Sequence, residues 1–362
     1  MKLKHILHVV GARPNFVVAA PVMAALEHRR VRQTLIHTGQ HYDVNMSEAI
    51  LRELDVRRPD VNLGVGSGSH AMQTSEVMRR TAAYLGERRP DVVVVYGAAN
   101  STLGAALAAA RLGIDVAHVE AGLRSGDQRI PEDINRIVTD GLSSWLFTPS
   151  EDADEHLLDE GADPAAIKLV GNAAIDTLVR LLPATYPEAM MHMLGLMNGR
   201  GPRPFALATL HRSFNVDDPA RLDPLMDALT EIAGDLPVVF PVHPRTRSRM
   251  KDHHLKFSGV LVTAPLTYLQ FLGLEQHATL VVTDSGAVQE ETTYLGVPCI
   301  TVRDTTERSV TTAIGTNILA GSDPRAVVAH ARSILAGKGR RGAVPPLWDG
   351  QAAERIAAHL LN

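Results

Sequence analysis

The chain has 362 residues, of which 45% are hydrophobic and 21% are charged, and its formal net charge is -4. This length exceeds what one ordinary hydrophobic core supports, so we expect two globular domains. The slightly negative charge provides no basic face and argues against a nucleic-acid partner. No apolar run approaches the length of a membrane span, which argues against a membrane partner.

Cys299 is the only cysteine, and it lies within the apolar run GVPCITV. A disulfide within one chain is therefore impossible, and we expect a buried structural thiol in a reducing compartment, the cytoplasm. The opening MKLKHILHVV is predicted to be a strand rather than a signal peptide, because its apolar run is short and leads directly into a polar motif.

Short β-branched runs alternate with helical patterns, which is typical of parallel sheets covered by helices on both faces. The predicted strands are residues 5–10, 33–37, 91–96, 115–119 and 146–148 in the first half, and 205–209, 237–241, 259–263, 280–283 and 298–302 in the second. The Pro- and Gly-marked stretch 182–204 is predicted to be a linker region. The fold class is thus α/β, with two doubly wound domains that bind ligands at the C-terminal ends of their strands.

Polar motifs follow the predicted strands of the first half. In the turn GARPN, glycine permits a tight turn and Arg13 can reach an anion with its guanidinium fork. Glu120 ends a buried strand, where a carboxylate is costly unless it is used or paired, and this favours a functional role. Glu132 and Arg136 are four positions apart and would share a helix face. They either line a site or form an ordinary surface salt bridge.

In the second half, His211 follows strand 205–209 and His243 follows strand 237–241, each beside an arginine. A single histidine at the end of a strand is usually structural. Two histidines at equivalent places indicate either that role or contact with a ligand.

The turn Asp284-Ser285-Gly286 joins a buried strand to a helix. A helix N-terminus offers unpaired N-H groups and the positive end of a dipole, so a small hydroxyl and a glycine there predict a phosphate site. Glu290 and Glu291 lie about one turn deeper, where a carboxylate could accept hydrogen bonds from ribose hydroxyls. The alternative is an ordinary Asp or Ser N-cap.

Together these motifs resemble the non-hydrolysing UDP-N-acetylglucosamine 2-epimerases. The matching segments, in family order, are GARPNF, TGQHYD, VVVYGAANST, HVEAGLRSGD, IPEDINR, LVGNAAIDTL, TLHRSFNV, PVHPRTR, TDSGAVQEE and VRDTTER. The resemblance implies a GT-B-type fold, with two Rossmann-like doubly wound domains facing a central cleft that holds the active site. It implies a first domain at 1–175 that includes a final helix at about 350–362, and a UDP-binding second domain at 176–349.

The resemblance also implies residue roles. The implied catalytic residues are Glu120, Glu132 and His211. The implied UDP-sugar-binding residues are Arg13, Arg136, His243, Ser285, Gly286, Glu290, Glu291 and Arg308, with Glu291 on the ribose. Gln40 and His41 match two residues of an effector site that some relatives have, and they are the possible effector-site residues of this chain.

The implied reaction converts UDP-GlcNAc into UDP-ManNAc, or acts likewise on a related UDP-N-acetylhexosamine. The C2 proton is weakly acidic, so the family eliminates UDP to form a 2-acetamidoglucal and re-adds it after protonation from the other face. This requires acid-base groups on both faces of the ring and cations for the departing diphosphate. No cofactor is required, and the sequence has neither clustered Cys/His metal spacing nor a P-loop. The expected partner is the UDP-sugar, and the expected assembly is a homodimer.

Two positions depart from the family pattern. Val18 stands where the family usually carries lysine, and Ala98 stands where it usually carries aspartate. Losing both removes a cation and an anion together, whereas losing one would leave a partly buried charge without its counterpart. The alternative hypothesis is therefore a UDP-sugar-binding homologue whose epimerase chemistry is altered or lost, as in a hydrolysing or eliminating enzyme or a pseudoenzyme.

Overall fold

The computed structural model describes residues 4–39, 44–127, 130–199, 201–252 and 258–362. The strands are β1 (His5–Val10), β2 (Arg32–His37), β3 (Val61–Asn62), β4 (Val92–Tyr96), β5 (Asp115–Val119), β6 (Trp145–Thr148), β7 (Ile167–Leu169), β8 (Met197–Asn198), β9 (Gly201–Pro202), β10 (Ala206–Thr209), β11 (Val238–Pro241), β12 (Val260–Thr263), β13 (Leu280–Thr283), β14 (Cys299–Thr301) and β15 (Asn317–Leu319). The helices are α1 (Arg13–His28), α2 (Val44–Glu53), α3 (His70–Glu87), α4 (Asn100–Arg111), α5 (Pro131–Gly141), α6 (Glu151–Asp159), α7 (Ala173–Leu181), α8 (Pro187–Met193), α9 (Ser213–Val216), α10 (Pro219–Ala233), α11 (Pro244–Asp252), α12 (Tyr268–Glu275), α13 (Gly286–Leu295), α14 (Ser309–Ala313), α15 (Pro324–Ser333) and α16 (Ala352–Leu361).

The chain divides into two compact units, Met1–Arg180 with Pro346–Asn362, and Leu181–Pro345. The first unit contains a parallel sheet with strand order β3-β2-β1-β4-β5-β6-β7, and the second contains one with order β12-β11-β10-β13-β14-β15. The strand order reverses between β1 and β4 and between β10 and β13. Such switch points open a crevice at the C-terminal strand ends, where ligands of doubly wound sheets bind.

The sheets are buried because their central strands are apolar on both faces. In β4, all of Val92–Tyr96 is shielded from solvent, as expected for a strand covered by helices on both sides. The final helix α16 belongs to the first unit because Asp176 accepts hydrogen bonds from the backbone N-H groups of Ala352 and Ala353, at 3.1 and 2.7 Å. The indole Nε1 of Trp348, just before α16, donates to the Pro149 carbonyl at 2.9 Å.

The predicted fold class is confirmed. All ten predicted strands are present, each within one residue of its predicted ends. The strands that sequence patterns missed are β3, β7, β15 and the β8–β9 hairpin. Each has only two or three residues, too few to display a hydrophobic period, and β3, β7 and β15 lie at sheet edges.

The stretch 182–204, predicted as a linker region, is instead part of the second unit. It contains a 3-10 turn, α8 and the β8–β9 hairpin. Proline and glycine marked its turns correctly, but Met190, Met191 and Leu196 bury their side chains in the core of that unit and hold the stretch there. No helix in the described ranges is long and apolar enough to cross a membrane.

Candidate active site

In the first unit, the turn after β1 is fixed by Asn15. Its Oδ1 accepts hydrogen bonds from the backbone N-H groups of Gly11 and Ala12 at 3.1 and 3.0 Å, and its Nδ2 donates to the Tyr96 carbonyl at 2.8 Å. Arg13, the first residue of α1, therefore stands exposed at a turn that is tied to the end of β4. A Cβ on Gly11 would lie 1.9 Å from Oγ of Ser101, so only glycine fits there.

Glu120, directly after β5, is buried and adopts φ +69°, a left-handed conformation that costs a non-glycine residue about 1 kcal/mol or more. A Cβ on Gly97 would lie 2.9 Å from Oε2 of Glu120, so the glycine lets the carboxylate sit against the turn after β4. Strained residues that the surrounding structure holds in place cluster at functional sites. This geometry supports the functional interpretation of Glu120.

A buried histidine supports that turn. Nδ1 of His118 lies 2.6 Å from Oδ1 of Asp140, and its Nε2 lies 2.8 Å from the Gly97 carbonyl. Burial acts to raise the pKa of Asp140, but His118 and the Arg124 guanidinium, 2.7 Å away, outweigh it and hold the pKa below its usual range. Sequence patterns missed both residues of this pair. A histidine inside an apolar strand, two residues before Glu120, was the available signal.

Helix α5 is joined to the same turn by Asn135, whose Nδ2 donates to the Ala98 carbonyl at 2.9 Å. Glu132 lies in the first turn of α5, and Arg136 lies one turn further, with Nη1 3.4 Å from the Leu123 carbonyl. Arg136 is only 4% exposed, so the alternative of a surface salt bridge does not describe it. The first unit thus brings Glu120, Arg136 and Ala98 to the ends of β4 and β5, and Glu132 lies on the same helix as Arg136. Val18 is buried on α1.

In the second unit, Asp284 fixes the loop after β10. Its carboxylate accepts from the backbone N-H groups of His211 and Arg212 and from Nδ2 of Asn215, and it lies 2.9 Å from Nδ1 of His211. Burial acts to raise the pKa of Asp284, but His211 and these hydrogen bonds outweigh it and lower the pKa. The imidazole of His243 lies 5.8 Å from that of His211, ring centre to ring centre.

Asp284 and Ser285 do not cap α13. The carboxylate of Asp284 is directed at the His211 loop, and Ser285 makes no side-chain capping hydrogen bond to any described residue. The alternative of an ordinary N-cap is therefore not observed. Gly286 is the first residue of the helix, and a Cβ there would lie 2.8 Å from Oε1 of Glu307.

A buried charge cluster surrounds this helix N-terminus. Arg303 Nη2 lies 2.6 Å from Glu307, and Arg308 Nη1 lies 3.0 Å from Glu290. Burial acts to raise the pKa of Glu307, but Arg303 and Arg308 outweigh it and lower the pKa far below its usual value. With Arg212 Nη2 3.9 Å from Glu307, three arginines face two glutamates, which leaves an excess of positive charge. Such a cluster, next to a helix N-terminus, suits an anion.

Arg303 also carries an unused donor. Its Nη1 is buried and finds no acceptor among the residues that the structure describes. Of the two predicted ribose carboxylates, Glu290 pairs with Arg308, and Oε1 of Glu291 accepts a hydrogen bond from the Tyr268 hydroxyl at 2.8 Å. The second unit therefore brings its predicted residues, His211, His243, Ser285, Gly286, Glu290, Glu291 and Arg308, to the ends of neighbouring strands and the start of α13.

Gln40 and His41 lie outside the described residues. Within the described ranges, no group of three or more His, Cys, Asp or Glu side chains could hold a metal ion.

The family model of UDP-N-acetylglucosamine 2-epimerase matches residues 24–361. The UDP-N-acetylglucosamine 2-epimerase of Methanocaldococcus jannaschii is 41% identical over 367 residues, covering 98% of each chain. The UDP-2,3-diacetamido-2,3-dideoxy-D-glucuronate 2-epimerase of Pseudomonas aeruginosa is 40% identical over 357 residues, covering 98% of this chain and 99% of that protein. The crystal structure of the M. jannaschii UDP-GlcNAc 2-epimerase in complex with UDP-GlcNAc and UDP matches with a TM-score of 0.90 and 39% identity, covering 98% of this chain and 99% of that one. The resemblance is confirmed: the chain belongs to the UDP-N-acetylglucosamine 2-epimerase family.

Proposed function

We propose that the chain is a UDP-N-acetylglucosamine 2-epimerase that interconverts UDP-GlcNAc and UDP-ManNAc. The observation that carries the proposal is Glu120, a buried carboxylate held in a left-handed backbone conformation against the Gly97 turn. Such a group is pre-organised to take or return a proton. Relatives about 40% identical over their full lengths carry epimerase names. These names favour epimerisation over a hydrolysing enzyme or a pseudoenzyme.

The UDP moiety is assigned to residues of the second unit. The N-terminus of α13, together with the arginine excess around Glu307, supports binding of the diphosphate. Glu291 would accept hydrogen bonds from the ribose, and His211, oriented by Asp284, would donate from Nε2 to the leaving phosphate oxygen. Arg13 is also proposed to bind a phosphate of the substrate.

Glu120 and Glu132 are assigned to the sugar. One carboxylate removes the proton from C2 while the bond from C1 to the phosphate oxygen breaks, and UDP leaves with the bonding electrons. The resulting 2-acetamidoglucal is protonated at C2 on the other face by the second group, and the UDP oxygen re-forms its bond to C1. Arg136, buried beside the Leu123 carbonyl, would bind the sugar or the departing charge. Every group in this scheme belongs to the chain or the substrate.

The test is proton NMR of UDP-GlcNAc incubated with the protein in deuterated water. Epimerisation replaces the proton at C2 with deuterium and builds up UDP-ManNAc. Free UDP that accumulates without deuterium at C2 of the recovered nucleotide sugar would indicate hydrolysis. If neither change occurs at enzyme concentrations that bind UDP, the proposal is contradicted.

The P. aeruginosa relative favours a second candidate substrate within the same reaction class, because that enzyme is named for UDP-2,3-diacetamido-2,3-dideoxy-D-glucuronate and is 40% identical to this chain. Comparing kcat/KM for that nucleotide sugar and for UDP-GlcNAc under the same conditions decides between them. A ratio above about 100 in favour of the diacetamido-glucuronate would reassign the substrate while preserving the 2-epimerase chemistry.

We also propose a homodimer, because α5 has its polar and apolar faces reversed. Its buried residues are all polar, namely Asp133, Asn135, Arg136, Thr139 and Asp140. Its exposed face carries Ile134, Ile137 and Val138, at the i, i+3, i+4 spacing of one helix stripe. The inward polar face carries site residues, and the outward apolar face is suited to contact a second copy.

We propose that the protein is located in the reducing cytoplasm, because its cysteine, Cys299, is a fully buried, unreactive thiol.

A further inference from the structure

Glu120 lies next to two turns that are both tied to one buried side-chain pair, His118 and Asp140. The first turn contains Gly97, where an added Cβ would lie 2.9 Å from Oε2 of Glu120. The second contains Gly122, two residues beyond Glu120 in the chain. Both glycines adopt positive φ, +62° and +78°, as Glu120 does at +69°. A left-handed glutamate persists in such a place only if the surrounding structure holds it there.

His118 holds the Gly97 turn. Its Nε2 lies 2.8 Å from the Gly97 carbonyl oxygen. The N-H group of Gly97 donates to the carbonyl of Val119, the next residue of β5, at 3.0 Å. The peptide groups on both sides of Gly97 are therefore fixed by the strand that leads into Glu120.

Asp140, on α5, connects His118 to the Gly122 turn. Its Oδ1 lies 2.6 Å from Nδ1 of His118, and its Oδ2 accepts from the backbone N-H group of Gly122 at 3.2 Å. The same Oδ2 accepts from Nη2 of Arg124 at 2.7 Å. His118 is fully buried and Asp140 is 5% exposed. One carboxylate thus ties α5, the helix of Glu132 and Arg136, to the residues on either side of Glu120 in the chain.

The two contacts of the His118 ring determine where its protons lie. Burial acts to raise the pKa of Asp140, but the charges of His118 and Arg124 outweigh it and keep that pKa below its usual range, so Nδ1 faces a carboxylate. Nε2 faces a backbone carbonyl, which also has no proton to donate. At 2.6 and 2.8 Å, each contact is a hydrogen bond only if the ring nitrogen carries a proton.

We propose that His118 is a positioning residue for proton transfer: its Nε2-H donates to the Gly97 carbonyl and holds the turn against which Glu120 packs, while Asp140 anchors the ring. The inference rests on the proposed function, in which Glu120 handles the C2 proton. Proton transfer requires the carboxylate within hydrogen-bond reach of that proton, and a displacement of about 1 Å can cost roughly 100-fold in rate. The ring itself is fully buried, so it acts through the turn rather than on the substrate.

Two amide variants separate the contact with the turn from the contact with Asp140. In His118→Gln, the amide nitrogen can reach the place of Nε2 and donate to the Gly97 carbonyl. In His118→Asn, it reaches only the place of Nδ1, and donates to Asp140. The kcat for UDP-GlcNAc should fall by roughly 100-fold in His118→Asn and by less than about tenfold in His118→Gln.

The affinity for UDP, measured by calorimetry, should stay within about twofold of the wild type in both variants, because the proposed ribose and diphosphate contacts come mainly from the second unit. The loss should thus appear in kcat and not in nucleotide binding. Leu85→Ala, a buried change in the core of the first unit, controls for general destabilisation and should keep the wild-type kcat.

Proton and nitrogen NMR of the wild type provides a readout that needs no variant to fold. The His118 ring, assigned through couplings to its own Cβ, should carry a proton on both nitrogens at neutral pH. An Nε2 without a proton overturns the inference, as do equal losses of kcat in the two amide variants or a wild-type kcat in His118→Asn. If instead the wild type incorporates no deuterium at C2, or Glu120→Gln exchanges like the wild type, it is the proposed function that fails.

Discussion

Nδ1 of His211 lies 2.9 Å from Oδ1 of the fully buried Asp284. Asp284, which precedes α13, therefore orients the imidazole of His211 on the loop after the neighbouring strand β10. Since the carboxylate engages Nδ1, Nε2 is the ring nitrogen left to face a ligand. The same carboxylate satisfies the backbone N-H groups of His211 and Arg212. One side chain therefore fixes both the backbone of this loop and the ring that we propose to contact the ligand.

Asp284→Asn should weaken UDP binding by roughly tenfold and lower the free energy of unfolding by about 1 to 3 kcal/mol, because buried donors lose their charged acceptor. The pKa of Asp284 is lowered in the fold, so its stabilisation is present at neutral pH and is lost as pH falls through that lowered pKa. Urea unfolding at neutral and acid pH should therefore show a gap between wild type and variant that narrows in acid.

The matched control is Asp217→Asn. Asp217 is partly exposed and pairs with Arg245 and Arg249, so screening should keep its effect on the unfolding free energy below about 1 kcal/mol. Equal losses in the two variants would contradict the role given to burial at Asp284.

Glu120→Gln should reduce turnover by about 100- to 10,000-fold, the range for loss of a general acid-base group, while UDP affinity stays within about twofold. The amide keeps the size and the strained backbone of the glutamate but cannot take the C2 proton. The measurements are deuterium incorporation at C2 and calorimetry with UDP. Wild-type deuterium exchange in this variant would remove Glu120 from the proton-transfer step.

The fold was largely predictable because buried parallel strands produce long β-branched runs, as in β4. Site residues were predictable where polar groups interrupt such patterns, as at Glu120 and the Asp284 turn. The burial of Glu275 at the end of α12 and the His118–Asp140 contact were not, because both arise only when helices pack on sheets, and the contact joins residues 22 positions apart. Sequence patterns predict that a glutamate at a helix end is exposed to solvent, and only tertiary packing buries it.

His8 should make the protein acid-sensitive. Its ring is fully buried between the Tyr96 hydroxyl at 2.7 Å and Gln33 Oε1 at 2.9 Å, and burial, as the main cause, lowers its pKa to about 3. An unfolded histidine titrates near pH 6.5, so protonation favours the unfolded chain as pH falls from about 6.5 to about 3, by as much as about 5 kcal/mol.

Urea unfolding across that pH range tests this contribution. His8→Asn should show a shallower loss of unfolding free energy on acidification than the wild type, even though its stability at pH 7 is lower. His28→Asn, which changes an exposed histidine at the end of α1, should keep the wild-type slope. Identical slopes for wild type and His8→Asn would exclude His8 as an acid sensor.

The reversed amphipathicity of α5 predicts that charge on its outer face dissociates the protein. The double substitution Ile134→Asp with Val138→Asp should convert a dimer to a monomer, as measured by light scattering. It replaces two exposed apolar side chains with carboxylates, which would repel the same carboxylates on the second copy. As a control, the Leu158→Asp variant, which changes an exposed leucine on α6 of the same unit, should remain dimeric. A monomeric wild type at micromolar concentration would dispose of the dimer proposal altogether.

Val18 and Ala98 test whether two family positions form a coupled pair. They are 4% and 7% exposed, so Val18→Lys or Ala98→Asp alone should lower the free energy of unfolding by about 3 to 5 kcal/mol, the range for an uncompensated buried charge. If the new side chains meet, the double variant should recover at least about 1 kcal/mol relative to the sum of the single changes. The neutral substitutions Val18→Met and Ala98→Asn introduce side chains of similar size without charge, and their effects on the free energy of unfolding should be additive.

Wild-type turnover of UDP-GlcNAc should lie within about 1 to 1000 per second, because we assign proton transfer to Glu120 and Glu132, which this chain retains. Additive charged substitutions would mean that positions 18 and 98 do not communicate, and turnover gained only by the charged double variant would show that the native pair limits the chemistry.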